Sequence, residues 1–365
     1  MRLLSRSRRA ALVAAMLVAV PALAHASEVS SGTCSATPSD ATGELVASLE
    51  SVTPATDCST VAKPQIPGWY PAAFDLAAAT TGAKGILTGQ GHDLAAPGTR
   101  HVVFSDIDQT ILKTVQPVLL RNAAGGLLHE PDGTLIMIPD KDFVGALNKL
   151  KAKYPTLDWA SYSPDFSEFN SVDGILGTPA IATTVAALKK AKKDPATRLV
   201  LITARSGDNT ADAMHEYARR HGFPIDGVMA VNNKPQNVAL GLTDPALKSA
   251  MKKAISMAAN LKLMDPDGTK IEDVTYYEDG DDNMADAMQL LPAMFPAIKF
   301  RFVDLIHTGH RRFAQKEVSK TGSCGALTSS VDGHTLTPDE IAGYKSVDIE
   351  WPPKPEDGDL PAPQS

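Results

Sequence analysis

The sequence contains little cysteine: only Cys34, Cys58 and Cys324 occur among its 365 residues. An odd number allows at most one intramolecular disulfide, and the sequence leaves all three pairings open. No cysteine stands near a histidine in the pattern of a zinc site or of a cysteine nucleophile. A structural role is therefore favoured for all three.

Apolar runs long enough to span a membrane are also missing. The apolar run at residues 10–24 follows four arginines and is shorter than the roughly 20 residues that a membrane span needs. It ends in Ala24-His25-Ala26, an A-x-A pattern typical of signal-peptide cleavage. We expect residues 1–26 to be removed, the protein to be periplasmic or secreted, and no transmembrane segment to remain. Since no cysteine directly follows the run, a lipoprotein is not expected.

Basic charge is scarce as well. The chain has 35 Lys and Arg residues against 42 Asp and Glu residues, a net charge of −7. Loss of the four arginines with the signal peptide would make it −11. Broad nucleic-acid binding is not expected, because it needs a basic footprint. A small phosphorylated partner is not excluded, since local fields differ from net charge. No internal repeat is visible, and the sequence does not indicate an oligomeric state.

Strand-like runs alternate with helical segments through the middle of the chain. The predicted strands are residues 101–105, 198–203, 228–231, 274–277 and 298–303. Residues 198–203 are apolar almost throughout, as in a parallel strand buried on both faces. This alternation predicts an α/β fold with a doubly wound, mainly parallel, Rossmann-like sheet.

The sequence also suggests how the chain is divided. The predicted segments are a signal peptide (1–26), a partly ordered lead-in with a helix near 71–80 (27–99), a catalytic domain (100–310), a C-terminal extension (311–350) and a disordered Pro-rich tail (351–365).

We expect residues 114–178, within the predicted catalytic domain, to form a small cap insertion. Apolar runs in 117–138 alternate with Ala-Gly-Gly and Pro-Asp-Gly turns, which predicts a β-hairpin flap. Asp140 is placed to cap a helix that contains Phe143 and Leu147. The aromatic residues between 154 and 169 suit a specificity cap and ordinary packing equally well.

Polar residues follow three of the predicted strands. Asp106 and Asp108 follow the first, Thr203 ends the second, and Glu278-Asp279 follows the fourth. Side chains at i and i+2 of a strand point the same way, so the first two carboxylates share a face. They repel each other unless a cation lies between them, which indicates a divalent metal.

These residues carry a family resemblance over roughly residues 100–305. The run from Asp106 to Thr110 resembles the DxDxT signature of the haloacid-dehalogenase-like (HAD) phosphohydrolase superfamily. Thr203 resembles its second motif, and Glu278-Asp279 its acidic fourth motif. The sequence around Asp106 is similar to that of the actin-patch phosphatidate phosphatase, lipin-type and polynucleotide-phosphatase-like branches.

The resemblance implies a role for each matching residue. Asp106 would be the nucleophile that forms an aspartyl-phosphate, and Asp108 the general acid and then the base. Thr203, with backbone N–H groups around Ala204, would hold a phosphoryl oxygen. Mg²⁺ would be bound by the Asp106 carboxylate, the Asp108 backbone carbonyl and Asp279.

Further site residues are expected around this set. Thr110 and Arg205 are candidate substrate-binding residues, although Arg205 suits a surface ion pair about as well. The fourth motif has two possible registers: Asp279 is favoured, because the strand should end at Tyr277, but Asp281 and Asp282 could supply the metal contact instead. Glu278 and Asn283 are further candidates for the metal site or its surroundings. Acids such as Asp282 are also favoured simply by a helix N-terminus.

The lysine of the family's third motif is ambiguous in this sequence. Lys234 follows a strand, while Lys248, Lys252 and Lys253 lie on the next predicted helix, which begins near residue 244. Lys234 and Lys248 are favoured about equally.

The sequence therefore predicts an exported, Mg²⁺-dependent phosphatase that hydrolyses phosphate monoesters through an aspartyl-phosphate. The alternatives are a non-catalytic metal- or ligand-binding module on the same fold, and a phosphotransferase. The small cap leaves the substrate unidentified.

Overall fold

The computed structural model describes residues 74–95, 97–138, 143–307, 313–320, 327–329 and 335–344. The predicted signal peptide, the three cysteines, the Asp140 helix cap and the tail after residue 350 lie outside these residues and stay predictions. None of the helices in the described part is long and apolar enough to cross a membrane.

The described strands and helices alternate much as the sequence predicts. The strands are β1 (His101–Ser105), β2 (Leu119–Asn122), β3 (Tyr162–Asp165), β4 (Thr197–Thr203), β5 (Gly227–Ala230), β6 (Asp273–Glu278), β7 (Lys299–His307), β8 (Phe313–Lys320) and β9 (Leu327–Ser329). The helices are α1 (Leu76–Gly89), α2 (Phe143–Lys153), α3 (Val172–Leu176), α4 (Ala182–Ala191), α5 (Thr210–His221), α6 (Lys234–Ala239), α7 (Ser249–Met264), α8 (Asp281–Met294) and α9 (Pro338–Ala342).

The main sheet has the strand order β5-β4-β1-β6-β7-β8-β9. Neighbours from β5 to β7 are parallel, whereas β8 and β9 are antiparallel additions. The predicted α/β class with a mainly parallel, Rossmann-like sheet is confirmed. The sheet extends beyond the predicted domain end at residue 310, because β8 pairs with β7 from Arg301 opposite Ser319 to His307 opposite Phe313.

Helices cover both faces of the sheet. Val102 and Phe104 of β1 belong to the core under α1, α7 and α8, while Val103 between them faces the core under α3, α4 and α5. This alternation follows from the two-residue period of a strand. Helix α1 contributes Ala79 and Ala83 to the first core, so the end of the predicted lead-in is integral to the fold.

The 114–178 insertion has a small apolar cluster of its own. Strands β2 and β3 pair with each other, and helix α2 packs on Val118, Leu120 and Ile136 through its apolar residues. In place of the predicted hairpin flap, this segment forms tight turns joined by isolated bridges, one of them between Arg121 and Leu127. The longer ladder of β2 is with β3.

The connections between strands fix where a site can form. From β1 the chain continues to β4 and β5 on one side of it, and β6 and β7 then pair on the other side. The direction of strand addition therefore changes between β1 and β6. In doubly wound sheets the crevice at the carboxyl ends of such strands is the usual place for a ligand.

Candidate active site and metal centre

Asp106 lies at this crevice, directly after β1. Its backbone N–H donates to the carbonyl of Tyr277 at 2.9 Å, which continues the β1–β6 ladder by one bond. Its side chain is buried, with the residue 4% exposed. Burial raises the pKa of Asp106 to about 8; Lys253 acts against this rise, while Glu278 and Asp108 add to it.

Lys253 of α7 links the two acidic strand ends. Its Nζ lies 2.8 Å from Asp106 Oδ1 and 2.9 Å from Glu278 Oε2. Burial alone favours the neutral amine, but the two carboxylates outweigh it and raise the pKa of Lys253 above its ordinary value. Lys253 is therefore a buried ammonium that holds the Asp106 carboxylate in place.

The two favoured lysines do not occupy this position. Lys234 is exposed in the first turn of α6, and Lys248 is exposed just before α7. Helix α7 begins at Ser249 rather than near residue 244, so Lys248 precedes it, while Lys253 lies in its second turn on the buried face. The structure therefore brings Lys253, and not the favoured pair, to Asp106. Lys253 was one of the four candidates, but not one of the favoured pair.

One sequence signal could have singled out Lys253. It lies three residues after Ala250 and four before Met257, on the apolar stripe that helix α7 buries. A lysine in such a stripe needs a charged partner, because burying an unpaired ammonium is costly.

Glu278 is the fully buried partner of that ammonium. Its Oε1 accepts hydrogen bonds from the backbone N–H groups of the next two residues and, at 2.9 Å, from Asn283 Nδ2. Its Oε2 accepts from Lys253 and from the hydroxyl of Tyr276. Asn283, a candidate for the surroundings of the metal site, thus supports Glu278, and a contact of Asn283 with a metal stays a prediction. Tyr276 is a site residue that the sequence analysis did not identify.

Three carboxylates of the site can hold a metal ion. Asp106, Glu278 and Asp279 each offer an oxygen within 4.8 Å of the others. If all three are ionised, their three negative charges face the single positive charge of Lys253, and a bound cation would relieve the remaining repulsion. The hydroxyl of Thr110 donates to Asp279 Oδ1 at 3.4 Å, which places this predicted substrate residue beside the acid.

Asp282, by contrast, is exposed in the first turn of α8 and is not part of that group. Its position is explained by the preference of acids for a helix N-terminus. The register that places Asp279 at the site is therefore the one that the structure supports.

Asp108 is held by three hydrogen bonds. Its Oδ1 accepts from Thr114 Oγ1 and from Arg205 Nη2, both at 2.6 Å, and its Oδ2 accepts from Arg205 Nε at 3.0 Å. Arg205 is only 2% exposed. Its third nitrogen donates to the carbonyl of Phe169, whose ring stacks on the guanidinium at 4.0 Å. Arg205, predicted to bind substrate or to form a surface ion pair, instead forms a buried ion pair with Asp108.

The turn that follows Asp108 is unusual in its backbone. Gln109 has φ of 55°, in the left-handed region that few non-glycine residues adopt. Its Nε2 donates to the carbonyl of Thr114 at 2.6 Å, and this bond holds Thr114 beside Asp108. Phe169 is one of the aromatic residues between 154 and 169 that suit a specificity cap or ordinary packing, whereas no pattern in the sequence indicates Thr114.

Thr203 ends β4 beside β1. Its buried hydroxyl oxygen accepts a hydrogen bond from the backbone N–H of Arg205 at 3.2 Å. Ala204 is exposed, and its carbonyl accepts from Asn232 Nδ2 at 2.8 Å. The loop that follows Thr203 is thus fixed on the same edge of the sheet as Asp106.

Comparisons of the chain with family models, with curated proteins and with solved structures found no match. The geometry of these residues therefore carries the functional argument.

Proposed function

We propose that this protein is a Mg²⁺-dependent phosphomonoesterase that works through an aspartyl-phosphate at Asp106. The observation that carries this proposal is the buried Asp106–Lys253–Glu278 ion-paired group at the sheet's switch point. Lys253 binds one oxygen of Asp106 and would hold the carboxylate in a fixed orientation for attack. Asp108, the proposed acid and base, lies two residues further along the chain. The resemblance to HAD-like phosphohydrolases implies the same assignment.

The chemical steps can be assigned to side chains of the chain. An oxygen of Asp106 attacks phosphorus while the bond from phosphorus to the ester oxygen breaks. Asp108, which must carry a proton in the reacting complex despite its pairing with Arg205, gives that proton to the departing alkoxide and then, as a carboxylate, accepts a proton from the attacking water. That water breaks the aspartyl-phosphate, which regenerates Asp106 and releases inorganic phosphate.

The remaining residues bind and stabilise charge. Lys253 offsets negative charge that develops between Asp106 and the phosphoryl group. Thr203, with the backbone N–H groups around Ala204, would bind a phosphoryl oxygen.

A metal fits the donor set, which consists of oxygens only. Hard oxygen ligands with at least two carboxylates suit Mg²⁺, and Asp106 and Asp279 would hold it, because both oxygens of Glu278 already accept several hydrogen bonds. When bound, Mg²⁺ supplies charge neutralisation for the phosphoryl group and keeps Asp106 ionised.

A panel of phosphate esters, assayed with Mg²⁺ and with a chelator, tests the proposal. We expect Mg²⁺-dependent release of phosphate by the wild type and a loss of more than about 1,000-fold in Asp106→Asn. Asp212→Asn, which changes an exposed aspartate of α5, is the matched control and should keep full activity. Equal activity of the wild type and Asp106→Asn would refute the mechanism.

The same assay separates the alternatives. Binding of Mg²⁺ without release of phosphate from any ester would favour a non-catalytic metal-binding module. Transfer of phosphate to an added alcohol in preference to water would favour a phosphotransferase.

A further inference from the structure

We propose that Arg205 is a positioning residue for Asp108, which it holds so that Oδ2 carries the transferred proton, and that Phe169 of the 114–178 insertion holds Arg205 in turn. This inference rests on the proposed phosphatase function. It assigns Arg205 to the proton-transfer residue rather than to the phosphate of the substrate.

The guanidinium of Arg205 is directed toward Asp108 and Phe169. Nε and Nη2 bond both oxygens of Asp108, and Nη1 donates to the Phe169 carbonyl. All three nitrogens of Arg205 are therefore engaged within the protein. With the side chain 1% exposed, the guanidinium presents almost no surface to a phosphoryl group.

The two oxygens of Asp108 differ in the number of hydrogen bonds that they accept. A carboxylate oxygen has two acceptor positions, and Oδ1 uses both, for Thr114 and for Arg205. Oδ2 accepts one hydrogen bond, from Arg205 Nε, and so keeps one position. The geometry therefore makes Oδ2 the atom that gives a proton to the leaving group and accepts one from water.

The 114–178 insertion holds Arg205 on the side away from Asp108. The Phe169 ring lies 4.0 Å from the guanidinium, a distance at which cation–π attraction is effective. The next residue, Asn170, accepts hydrogen bonds from the backbone N–H groups of Ser206 and Gly207 at 3.3 and 3.2 Å. The insertion and the loop after Thr203 are thus joined at Arg205.

Esters with different leaving groups test this role, because only a poor leaving group needs the proton of Asp108. Dinitrophenolate departs without protonation, whereas an alkoxide such as that of glycerol phosphate does not. The value of kcat/KM covers the steps up to departure of the leaving group. We expect Arg205→Met to lower kcat/KM for glycerol phosphate by about 100-fold and to lower it much less for dinitrophenyl phosphate.

Three further variants make the test specific. Arg205→Lys keeps the charge and should recover part of the loss. Thr114→Val and Phe169→Leu should show the same preference for the activated ester, more weakly. Arg121→Lys, which changes an exposed ion pair with Asp165, is the control and should change neither ester.

Inhibition by inorganic phosphate separates positioning from substrate binding. If Arg205 acts through Asp108, the inhibition constant for phosphate stays near the wild-type value in Arg205→Lys and in Arg205→Met. Equal losses on both esters together with weaker inhibition by phosphate would overturn the inference and leave the proposed function standing. A wild type that hydrolyses neither ester would overturn the proposed function and, with it, this role.

Discussion

The ammonium of Lys253 lies 2.8 Å from Asp106 Oδ1, deep between helix α7 and the end of the first strand. A second contact of 2.9 Å joins the same ammonium to Glu278 at the end of β6. One lysine thus ties two neighbouring strands to the helix that covers them. The ion-paired group has a structural consequence and a catalytic one, and both can be measured.

Replacing Lys253 by methionine should affect stability and catalysis together. The change leaves two buried carboxylates without their cation, which typically costs about 3–5 kcal/mol of unfolding free energy. Loss of its charge at the reacting phosphoryl group should lower kcat by about 100- to 1,000-fold. Urea unfolding and ester hydrolysis measure the two effects. Lys252→Met, a half-buried neighbour, is the control, and equal effects in both variants would contradict the assignment.

Mg²⁺ should stabilise the folded protein through Asp279. An ion that binds only the folded state adds about 2.7 kcal/mol at a concentration 100 times its dissociation constant. We expect a rise in the unfolding midpoint with Mg²⁺ that a chelator reverses and that Asp279→Asn removes. Asp282→Asn should keep the full rise, since Asp282 is exposed outside the carboxylate group. If Asp282→Asn removes the rise and Asp279→Asn keeps it, the metal-binding acid of the fourth motif is Asp282 and not Asp279.

Helix α1 offers a matched pair of glycines. A Cβ at Gly82 would lie 1.9 Å from the carbonyl oxygen of Ala239, whereas a Cβ at Gly85 would meet nothing within 4 Å. Gly82→Ala should therefore cost about 1–3 kcal/mol through overpacking. Gly85→Ala should gain up to about 1 kcal/mol from helix propensity. Urea denaturation measures both changes in unfolding free energy. Equal changes in the two variants, of either sign, would show that Gly82 does not lie against Ala239 of α6.

His215 should make the protein less stable in mild acid. Burial lowers its pKa below the usual 6.5, and the nearby His92, 3.3 Å away between Nε2 atoms, adds to this. Because the unfolded chain binds the proton more readily, this contribution to unfolding free energy is complete above about pH 6.5 and falls as the pH drops through that value. His215→Leu should show a shallower loss of stability between pH 8 and 5. His129→Leu, an exposed histidine, should retain the wild-type slope, and an unchanged slope in both variants would contradict the account.

The fold was largely predictable because its signals are local. The apolar run of β4 and the alternation of strands and helices identify a parallel sheet, and Asp106 and Glu278 follow strands whose ends meet. The strand β8 was not predicted, since nothing near residues 313–320 indicates that they pair with β7. Such a pairing depends on contacts that the local sequence does not encode.

The site was predictable where a motif fixes the spacing, and unpredictable where packing decides. Asp106, Asp108, Thr203 and Asp279 follow strand ends, so their positions come from the sheet. The choice of Lys253 over Lys234 depends on where α7 begins and on which face it buries. The partner of Arg205 depends on Phe169 in a distant insertion, which no spacing rule relates to Arg205.

Detection of a phosphoryl group on Asp106 is the most direct test of the proposed mechanism. Wild-type protein is mixed with an activated phosphate ester and Mg²⁺, quenched in acid during turnover, and digested for peptide mass spectrometry. The account predicts one phosphoryl group on Asp106 in the peptide that contains β1, and none in Asp106→Asn. A phosphoryl group on another residue, or turnover in the wild type with no phosphorylated peptide, would contradict it.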